Sequence, residues 1–361
     1  MRFVPINSIK AGMKTGKSLV GKNDELLLNS GVIIQESFID KIKELGFNGI
    51  YIDDELSEGI EITGIISDEL RYRTVKAIKD TYAKIEKGKG ETPVNIDDIS
   101  GLLDNIIDEV LEHKSVLVNI IDLKIFDDYT FFHSVNVAVL SLIVGVSCGL
   151  NRDALHNLGL AALLHDIGKV FVPKEILNKP SKLEKDEFEL IKSHSKKGYQ
   201  YLKDKSDIPA HSYIGVLQHH ERFDGLGYPT AIEGKHISLF AKIIAVTDVY
   251  DALTSRRPYR KAMAPSEAIE YIMGSGGTHF DPKIALCFTQ RVAPYPLGAC
   301  VDLSNGAVGI VVENYKDYCL RPKVKIVRQN GREIEPYTID LSKDKSALGI
   351  TITALTDEAD R

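Results

Sequence analysis

The chain of 361 residues contains no tryptophan, and its four cysteines are scattered along the sequence. They lie in apolar surroundings and show no paired spacing. This pattern indicates core residues of a protein in a reducing compartment. The 43% hydrophobic fraction is enough for a sizeable core, and 27% charged residues is ordinary for a soluble protein.

The chain also lacks a long apolar run and an excess of positive charge. Its longest apolar stretch, residues 137–150, is interrupted by serine and glycine and is too short to span a bilayer, so we expect a buried helix. Residues 1–17 contain no apolar signal-peptide segment, so a cytoplasmic protein without a membrane span is expected. The formal net charge of −6 argues against nucleic-acid binding, although a local basic pocket could still bind a phosphate.

The length predicts two or three domains, and the hydrophobic pattern divides the chain into four parts. Residues 1–64 mix short strands with one helix and predict a small α+β domain for regulation or docking. Residues 65–115 predict a helical connector, whose apolar stripe could pack on the next domain or on a partner subunit. Residues 116–292 predict an all-α domain, and residues 293–361 predict a small all-β domain.

Local signals predict where several elements begin and end. Asn151 is a candidate N-cap for a helix that ends at Leu164, and Gly168 is a candidate stop for that helix. Residues 181–184 read as a capping box before a helix over 183–204. In the terminal domains, strands are expected at residues 32–34 and 348–352, among others.

The first candidate for chemistry is the pair His165 and Asp166, which lie side by side at the end of an apolar helix. Burying an aspartate beside a histidine costs several kcal/mol unless a positive group is near. A metal ion would be such a group. A hydrogen-bonded histidine–aspartate pair at a helix end explains these two residues equally well.

The surrounding residues favour the metal. Histidines occur next to helix ends or on apolar helices of the all-α domain at five positions: His133, His165, His194, His219 and His220. Asp248 lies inside the apolar helix predicted at 239–253, where an aspartate should face a cation. Imidazoles and carboxylates together suit iron, manganese or zinc. Each histidine alone could be a core residue, but the set favours a hydrolase in which two metals activate a shared water.

Two further segments have a structural and a functional interpretation. The basic run at residues 256–261 could be a solvated helix end, or Arg257 and Arg260 could bind substrate phosphates. In the loop that follows His220, Gly225 and Gly227 permit unusual backbone geometry and Pro229 fixes the exit. This loop could be a structural turn, a lip over the site or a contact for another protein.

The segment that contains these residues resembles the HD-GYP family, a subset of the HD-domain phosphohydrolases that degrades the bacterial messenger cyclic di-GMP. Both signature motifs are complete, in residues 165–169 (HDIGK) and 219–229 (HHERFDGLGYP). The resemblance covers roughly residues 128–282. It includes the first histidine motif (DYTFFHS), the late aspartate helix with the basic segment (DVYDALTSRRPYR) and the closing motif (GTHFDP).

The resemblance implies an HD-type helical catalytic domain with two divalent transition metals, iron or manganese. One metal would be held by His133, His165, Asp166 and Asp248. The other would be held by His194, His219 and His220, with Asp166 bridging the two. A water or hydroxide between the metals would be the nucleophile. Some family members hold a third metal through a glutamate where this chain has Tyr129, so a third metal is not expected.

The resemblance also implies roles around the metals. Lys169 would bind the scissile phosphate or stabilise the leaving oxygen, and Arg257 and Arg260 would bind substrate phosphates. Glu221 and Asp224 would support the site rather than bind metal. The loop over the site would consist of Gly225, Gly227, Tyr228 and Pro229. His279, in the closing motif, receives no role.

The sequence therefore predicts a phosphodiesterase that opens its substrate, cyclic di-GMP, to linear pGpG and could continue to GMP. Two alternatives remain open: a cyclic-dinucleotide-binding signalling module with slow turnover, and a hydrolase of another cyclic dinucleotide. A protein partner could bind the Gly-Tyr-Pro loop or the terminal domains. The chain could also form a homodimer.

Overall fold

The computed structural model describes residues 1–21, 26–45, 47, 49–62, 64–94, 96–113, 117, 129–179, 181–255 and 262–356, without the side chains of residues 20, 129, 130 and 317. The start of the predicted all-α domain, at residues 116 and 118–128, and the basic run at 256–261 lie outside these residues. The helices are α1 (Glu36–Glu44), α2 (Asp68–Lys87), α3 (Ile96–Glu112), α4 (Tyr129–Ser147), α5 (Arg152–Leu163), α6 (Lys174–Leu177), α7 (Lys185–Lys205), α8 (Ala210–Gln218), α9 (Leu239–Thr254), α10 (Pro265–Gly274) and α11 (Pro282–Thr289).

The strands lie at the two ends of the described chain. They are β1 (Arg2–Pro5), β2 (Leu19–Val20), β3 (Leu26–Leu28), β4 (Gly49–Ile52), β5 (Cys300–Leu303), β6 (Ala307–Glu313), β7 (Lys323–Gln329), β8 (Arg332–Asp340) and β9 (Ile352–Leu355). Helices therefore fill the middle of the chain, as the hydrophobic pattern predicts.

Helix α4 lies at the centre of the helical domain. Every residue from 132 to 145 is buried, because the segment is apolar on all sides and packs between α5 and α9. Helices α2 and α3 of the predicted connector share one hydrophobic core with α4 and α5. The apolar stripe of the connector is thus covered by the helical domain of the same chain.

The turn after α5 differs from the sequence prediction. Helix α5 begins as expected, since the Asn151 side chain accepts a hydrogen bond from the Ala154 backbone N–H. It ends at Leu163, and Gly168 lies in a 3-10 turn over Ile167–Phe171 rather than acting as a helix stop. A Cβ at residue 168 would overlap the carbonyl oxygen of His194, so the glycine permits close packing of this turn on α7.

The start of α7 also differs. The expected capping box at residues 181–184 is wrong, and the box forms one turn later between Glu184 and Glu187. The Glu184 backbone N–H donates to the Glu187 carboxylate over 2.8 Å. A glutamate three residues after Glu184 completes this box, so the helix begins at Lys185.

In the first 62 residues, β1 pairs antiparallel with β4, and β2 pairs with β3. Helix α1 packs on them through Ile39 and Ile42. The strand expected at residues 32–34 is wrong, because this segment makes a single bridge from Ile33 to Lys14.

The C-terminal part is one antiparallel sheet of five strands in the order β8-β7-β6-β5-β9. The sequence predicts three of these strands, places β9 about four residues too early and misses β8. Strand β8 lies at the edge of the sheet, contains Pro336 and is mostly exposed, so it has no apolar alternation to reveal it.

This sheet contacts the N-terminal strands directly. Tyr51 and Ile62 share a hydrophobic cluster with Cys300, Ile310 and Val327. The backbone N–H of Phe3 donates to the carbonyl of Gly298 over 3.2 Å. The two ends of the described chain therefore pack on each other. Among the described residues, no helix is long and apolar enough to cross a membrane.

Candidate metal centre

Five helical segments bring all seven predicted metal ligands to one place. Helix α4 supplies His133, and the turn after α5 supplies His165 and Asp166. Helix α7 supplies His194, the turn after α8 supplies His219 and His220, and α9 supplies Asp248. All except His220 are buried, and His220 is partly buried.

Asp166 lies between the histidines. Its Oδ2 is 3.4 Å from Nε2 of His165 and 3.9 Å from Nε2 of His133. Its Oδ1 is 3.4 Å from Nε2 of His194. The two carboxylate oxygens thus face different histidines, which is the arrangement that a bridging ligand needs.

Three sets of side chains each place their ligand atoms within 4.8 Å of one another. These sets are His194 with His219 and His220, His133 with His165 and Asp166, and His165 with His219 and Asp248. The first is the set that the sequence assigns to one metal. In addition, Asp248 Oδ1 lies 3.1 Å from His133 Nε2, so the residues assigned to the other metal also meet.

Backbone carbonyls orient three of the imidazoles. In His165, His194 and His219, Nδ1 lies 2.6–2.8 Å from the carbonyl oxygen of the residue three positions earlier. A proton on Nδ1 satisfies this contact and leaves the Nε2 lone pair for a metal. The i−3 carbonyl contact is therefore a shared means of fixing these rings.

His133 is oriented differently, by a carboxylate that the sequence analysis did not single out. Its Nδ1 lies 2.8 Å from Asp251 Oδ2. Asp251 Oδ1 accepts a hydrogen bond from Asn136 over 3.1 Å, and Asn136 in turn accepts one from Arg71. One feature of the sequence could have indicated this role: Asp251 lies three residues after Asp248 on the same apolar helix.

Electrostatics separate the imidazoles into two kinds. Burial lowers the pKa of His194 and His219 and brings that of His220 to about 3. For His133, burial would lower the pKa, but the carboxylates of Asp248 and Asp251 outweigh it and raise the pKa to about 9. Three of the rings are thus neutral at pH 7, the form that binds metals.

The carboxylates stay ionised despite their burial. Burial would raise the pKa of Asp166, but the charge of Lys169 and the neighbouring His165 imidazole hold it well below its usual range. The pKa of Asp248 is likewise lowered, chiefly by its hydrogen bond to His133 acting against burial. The site therefore presents anionic oxygens next to neutral nitrogens.

Two buried ligand atoms support a cation at this position. Within the described part of the chain, His165 Nε2 and Asp166 Oδ1 have no hydrogen-bond partner. Buried polar atoms are nearly always paired, and an ion is one explanation when they are not. Nitrogen and carboxylate donors in this number fit divalent transition metals, so the residues present fit the predicted metals.

Lys169 approaches the centre from its open side. Its Nζ lies 2.5 Å from Asp166 Oδ2, and its side chain is 32% exposed, whereas that of Asp166 is 2% exposed. An ammonium group in this place can contact both the buried carboxylate and a phosphate that enters from solvent.

The Gly-Tyr-Pro loop lies against His220. The Tyr228 ring stacks on the His220 ring with centroids 4.7 Å apart, and the Tyr228 backbone N–H donates to the His220 carbonyl. Gly225 has φ +77°, which favours glycine. The Tyr228–Pro229 peptide is cis. A Cβ at Gly227 would overlap the backbone of the preceding turn.

The two acidic residues of this loop, Glu221 and Asp224, stabilise the loop through hydrogen bonds within it. Glu221 Oε1 accepts hydrogen bonds from the backbone N–H and the hydroxyl of Thr230, at 2.7 and 2.6 Å. Asp224 pairs with Arg222 at 2.6 Å and accepts from the Leu226 backbone N–H. Neither residue belongs to a set that could hold a metal among the described residues.

His279 contributes to the same loop through its backbone. Its carbonyl oxygen accepts from the Phe223 N–H over 3.1 Å, while its ring stacks on Phe280. It belongs to none of the potential metal sets of the described chain. Arg257 and Arg260 lie outside the described residues, as does the side chain of Tyr129, so their predicted roles stay predictions.

Comparison with known protein families decides the identity of the helical domain. Residues 115–284 match the family model described as HD domain. These matched residues, 115–284, are an HD domain. With both signature motifs present, the resemblance to the HD-GYP family is confirmed. Residues 300–356 match a second model, described as KOW domain associated with HD domain, and they include the five-stranded sheet.

Curated relatives share this HD domain. A cyclic di-GMP phosphodiesterase of Pseudomonas aeruginosa is 43% identical over 227 residues, which are 63% of this chain and 55% of the relative. The cyclic di-GMP phosphodiesterase response regulator RpfG of Xanthomonas campestris is 41% identical over 39% of this chain and 38% of its own length.

A third relative has a different substrate in its name. The 3'3'-cGAMP-specific phosphodiesterase 1 of Vibrio cholerae is 38% identical over 45% of this chain and 37% of its own length. The chain thus matches between 37% and 55% of the length of these three relatives.

Proposed function

We propose that this protein is a metal-dependent phosphodiesterase that hydrolyses cyclic di-GMP to linear pGpG and can continue to GMP. The observation that carries the proposal is the convergence of five histidines and two aspartates in the HD domain, with two buried ligand atoms left without partners among the described residues. Relatives named cyclic di-GMP phosphodiesterases support the choice of substrate.

The metals, when bound, would activate a shared water and stabilise the charge that develops on the phosphoryl oxygens. His194, His219 and His220 would hold one of them, and His133, His165 and Asp248 the other. Asp166 would bridge the two sites, because its oxygens face histidines of both sets. Iron and manganese are the proposed metals, since imidazole and carboxylate ligands suit both.

Lys169 is the proposed contact for the scissile phosphate. Its ammonium group lies beside Asp166 and is partly open to solvent, so it can donate to a phosphoryl oxygen held at the centre. A cation in this place stabilises negative charge that grows in the transition state. Arg257 and Arg260 would bind the phosphates from the segment after α9.

A hydrolase of another cyclic dinucleotide is the second candidate. The observation that favours it is the relative named as cGAMP-specific, which is 38% identical over 45% of this chain. The metal centre positions a phosphodiester and is indifferent to the base, so both candidates use the same ligands.

The test is hydrolysis by the full-length protein, prepared anaerobically and loaded with Mn²⁺ or Fe²⁺. Cyclic di-GMP, cGAMP and cyclic di-AMP are supplied separately, and products are separated by chromatography. We expect cyclic di-GMP to be converted to pGpG. Lys169→Ala should retain its metals and lose about 100-fold in kcat. Tight binding of cyclic di-GMP without product would instead favour a signalling module, and faster turnover of cGAMP would favour the second candidate.

A further inference from the structure

Next to the metal centre lies a group of side chains for which the proposed reaction has no use. Phe188, Glu189 and Lys192 belong to α7, the helix that supplies His194, and Lys192 reaches Tyr228 of the Gly-Tyr-Pro loop. Lys192 Nζ lies 5.0 Å from the Phe188 ring centroid and 5.6 Å from that of Tyr228. It also donates to Glu189 Oε1 over 2.6 Å. We call these four residues the rim.

The rim is continuous with the metal centre and open to solvent. Tyr228 stacks on His220, so the rim begins one ring away from a predicted ligand. The Phe188 residue is 48% exposed, and the Lys192 side chain is 27% exposed. A molecule whose phosphate reaches the centre would therefore extend over the rim.

The rim offers the groups that recognise a nucleobase. Exposed aromatic faces stack on bases of any kind. Lys192 supplies only donors and Glu189, when ionised, only acceptors, and the two lie side by side. A base that contacts both must carry an acceptor next to a donor on its edge.

Guanine meets this requirement and adenine does not. On the edge of guanine, the O6 acceptor is adjacent to the N1–H donor, so Lys192 can donate to O6 while Glu189 accepts from N1–H. Adenine has a donor amino group in place of O6 and an acceptor at N1, which would face the ammonium and the carboxylate with the wrong polarity. A site that leaves polar groups unpaired rejects such an analogue strongly.

We propose that the rim is a guanine subsite that holds a base of the cyclic dinucleotide and makes the protein prefer guanine over adenine. Glu189 and Lys192 select the base, the exposed Phe188 ring provides the stacking surface, and Tyr228 joins the rim to the metal centre through its stack on His220. This inference rests on the proposed function and specifies its substrate. A plain surface ion pair three residues apart on a helix would contribute little to stability and nothing to base preference.

The test is equilibrium binding to full-length, metal-loaded protein that carries Lys169→Ala, which slows turnover during the measurement. Titration calorimetry gives the Kd of cyclic di-GMP and of cyclic di-AMP for this background. It is repeated with Lys192→Met, Lys192→Arg or the control Lys196→Met added. Lys196 is exposed and lies one turn further along α7.

We expect the background protein to bind cyclic di-GMP at least tenfold more tightly than cyclic di-AMP. Lys192→Met should weaken cyclic di-GMP binding on the order of tenfold, because one base contact is lost, and should leave cyclic di-AMP binding nearly unchanged. Lys192→Arg should keep the preference, since arginine also donates to guanine O6. Lys196→Met should behave as the background.

Equal affinity for the two ligands, binding of neither, or equal losses with Lys192→Met and Lys196→Met would each overturn the guanine subsite. Hydrolysis is measured separately on protein that retains Lys169. A protein that shows the expected preference in binding but forms no product would disprove the proposed function and leave the subsite standing.

Discussion

Three histidines of the metal centre are oriented by backbone carbonyls, whereas His133 depends on the side chain of Asp251. A carbonyl contact within one helix follows from the helix itself. The contact from His133 to Asp251 joins α4 to α9 across 118 positions of sequence and continues to Asn136. His133 is therefore the ligand whose geometry a single distant substitution can change.

Replacing Asp251 should weaken metal binding without removing a ligand. In Asp251→Asn, His133 loses an anionic acceptor, and its ring is no longer held with Nε2 toward the centre. We expect metal affinity to fall about 10–100-fold. The measurement is a metal titration against a competing chelator, with Asp153→Asn in the exposed first turn of α5 as the matched control. Equal affinities in the two variants would show that Asp251 does not position His133.

At the residue level, the sequence could predict the seven proposed ligands, which the structure brings together, but not the contacts that orient them. His133, His165, Asp166, His194, His219, His220 and Asp248 stand at motif positions or on apolar helices, and the structure brings them together. Asp251 and the carbonyl acceptors are defined by contacts between or within folded helices. No pattern of residues in the sequence predicts such contacts.

At the level of elements, the 3-10 turn at Ile167–Phe171 places Asp166 and Lys169 against α7. The turn approaches α7 so closely that a Cβ at residue 168 would lie 2.6 Å from the backbone nitrogen of Gly198 and overlap the His194 carbonyl. From sequence alone, Gly168 is expected to stop the helix, because glycine commonly ends helices. The packing of two elements distant in sequence gives it a different role.

Gly168→Ala should therefore destabilise the HD domain. The added methyl group forces the turn away from α7, at a cost of about 1–3 kcal/mol or more. Gly101→Ala is the control, because a Cβ there meets no atom within 4 Å on an exposed face of α3. We expect the control to be neutral or stabilising by about 0.5–1 kcal/mol. Urea unfolding followed by circular dichroism gives both values, and equal stability of the two variants would refute the packing role.

Element boundaries were predictable where a local signal fixes them. The Asn151 side chain before α5 accepts the expected backbone hydrogen bond from the Ala154 N–H. Strand β8 was not predicted, because an exposed edge strand needs no alternating apolar residues. The strand expected at residues 32–34 has the right composition, but only Ile33 finds a partner.

At the scale of the molecule, the four parts of the chain pack on one another more closely than the sequence pattern predicts. The helices of the connector belong to the core of the HD domain. The N-terminal strands and the C-terminal sheet share a hydrophobic cluster that includes Tyr51 and Ile310. Such contacts join residues more than 200 positions apart, so composition and periodicity could predict the parts but not how they meet. Regulation or docking by the first 64 residues stays a prediction.

Asp166, the proposed bridge between two metals, is the residue on which the proposed hydrolysis depends most. The most direct measurement is metal content together with nucleotide products, on anaerobically prepared full-length protein and on Asp166→Ala. We predict two divalent metals per chain and conversion of cyclic di-GMP to pGpG for the native sequence. Asp166→Ala should lose both metal and product. An Asp166→Ala protein that keeps its metals and still forms pGpG would contradict the account.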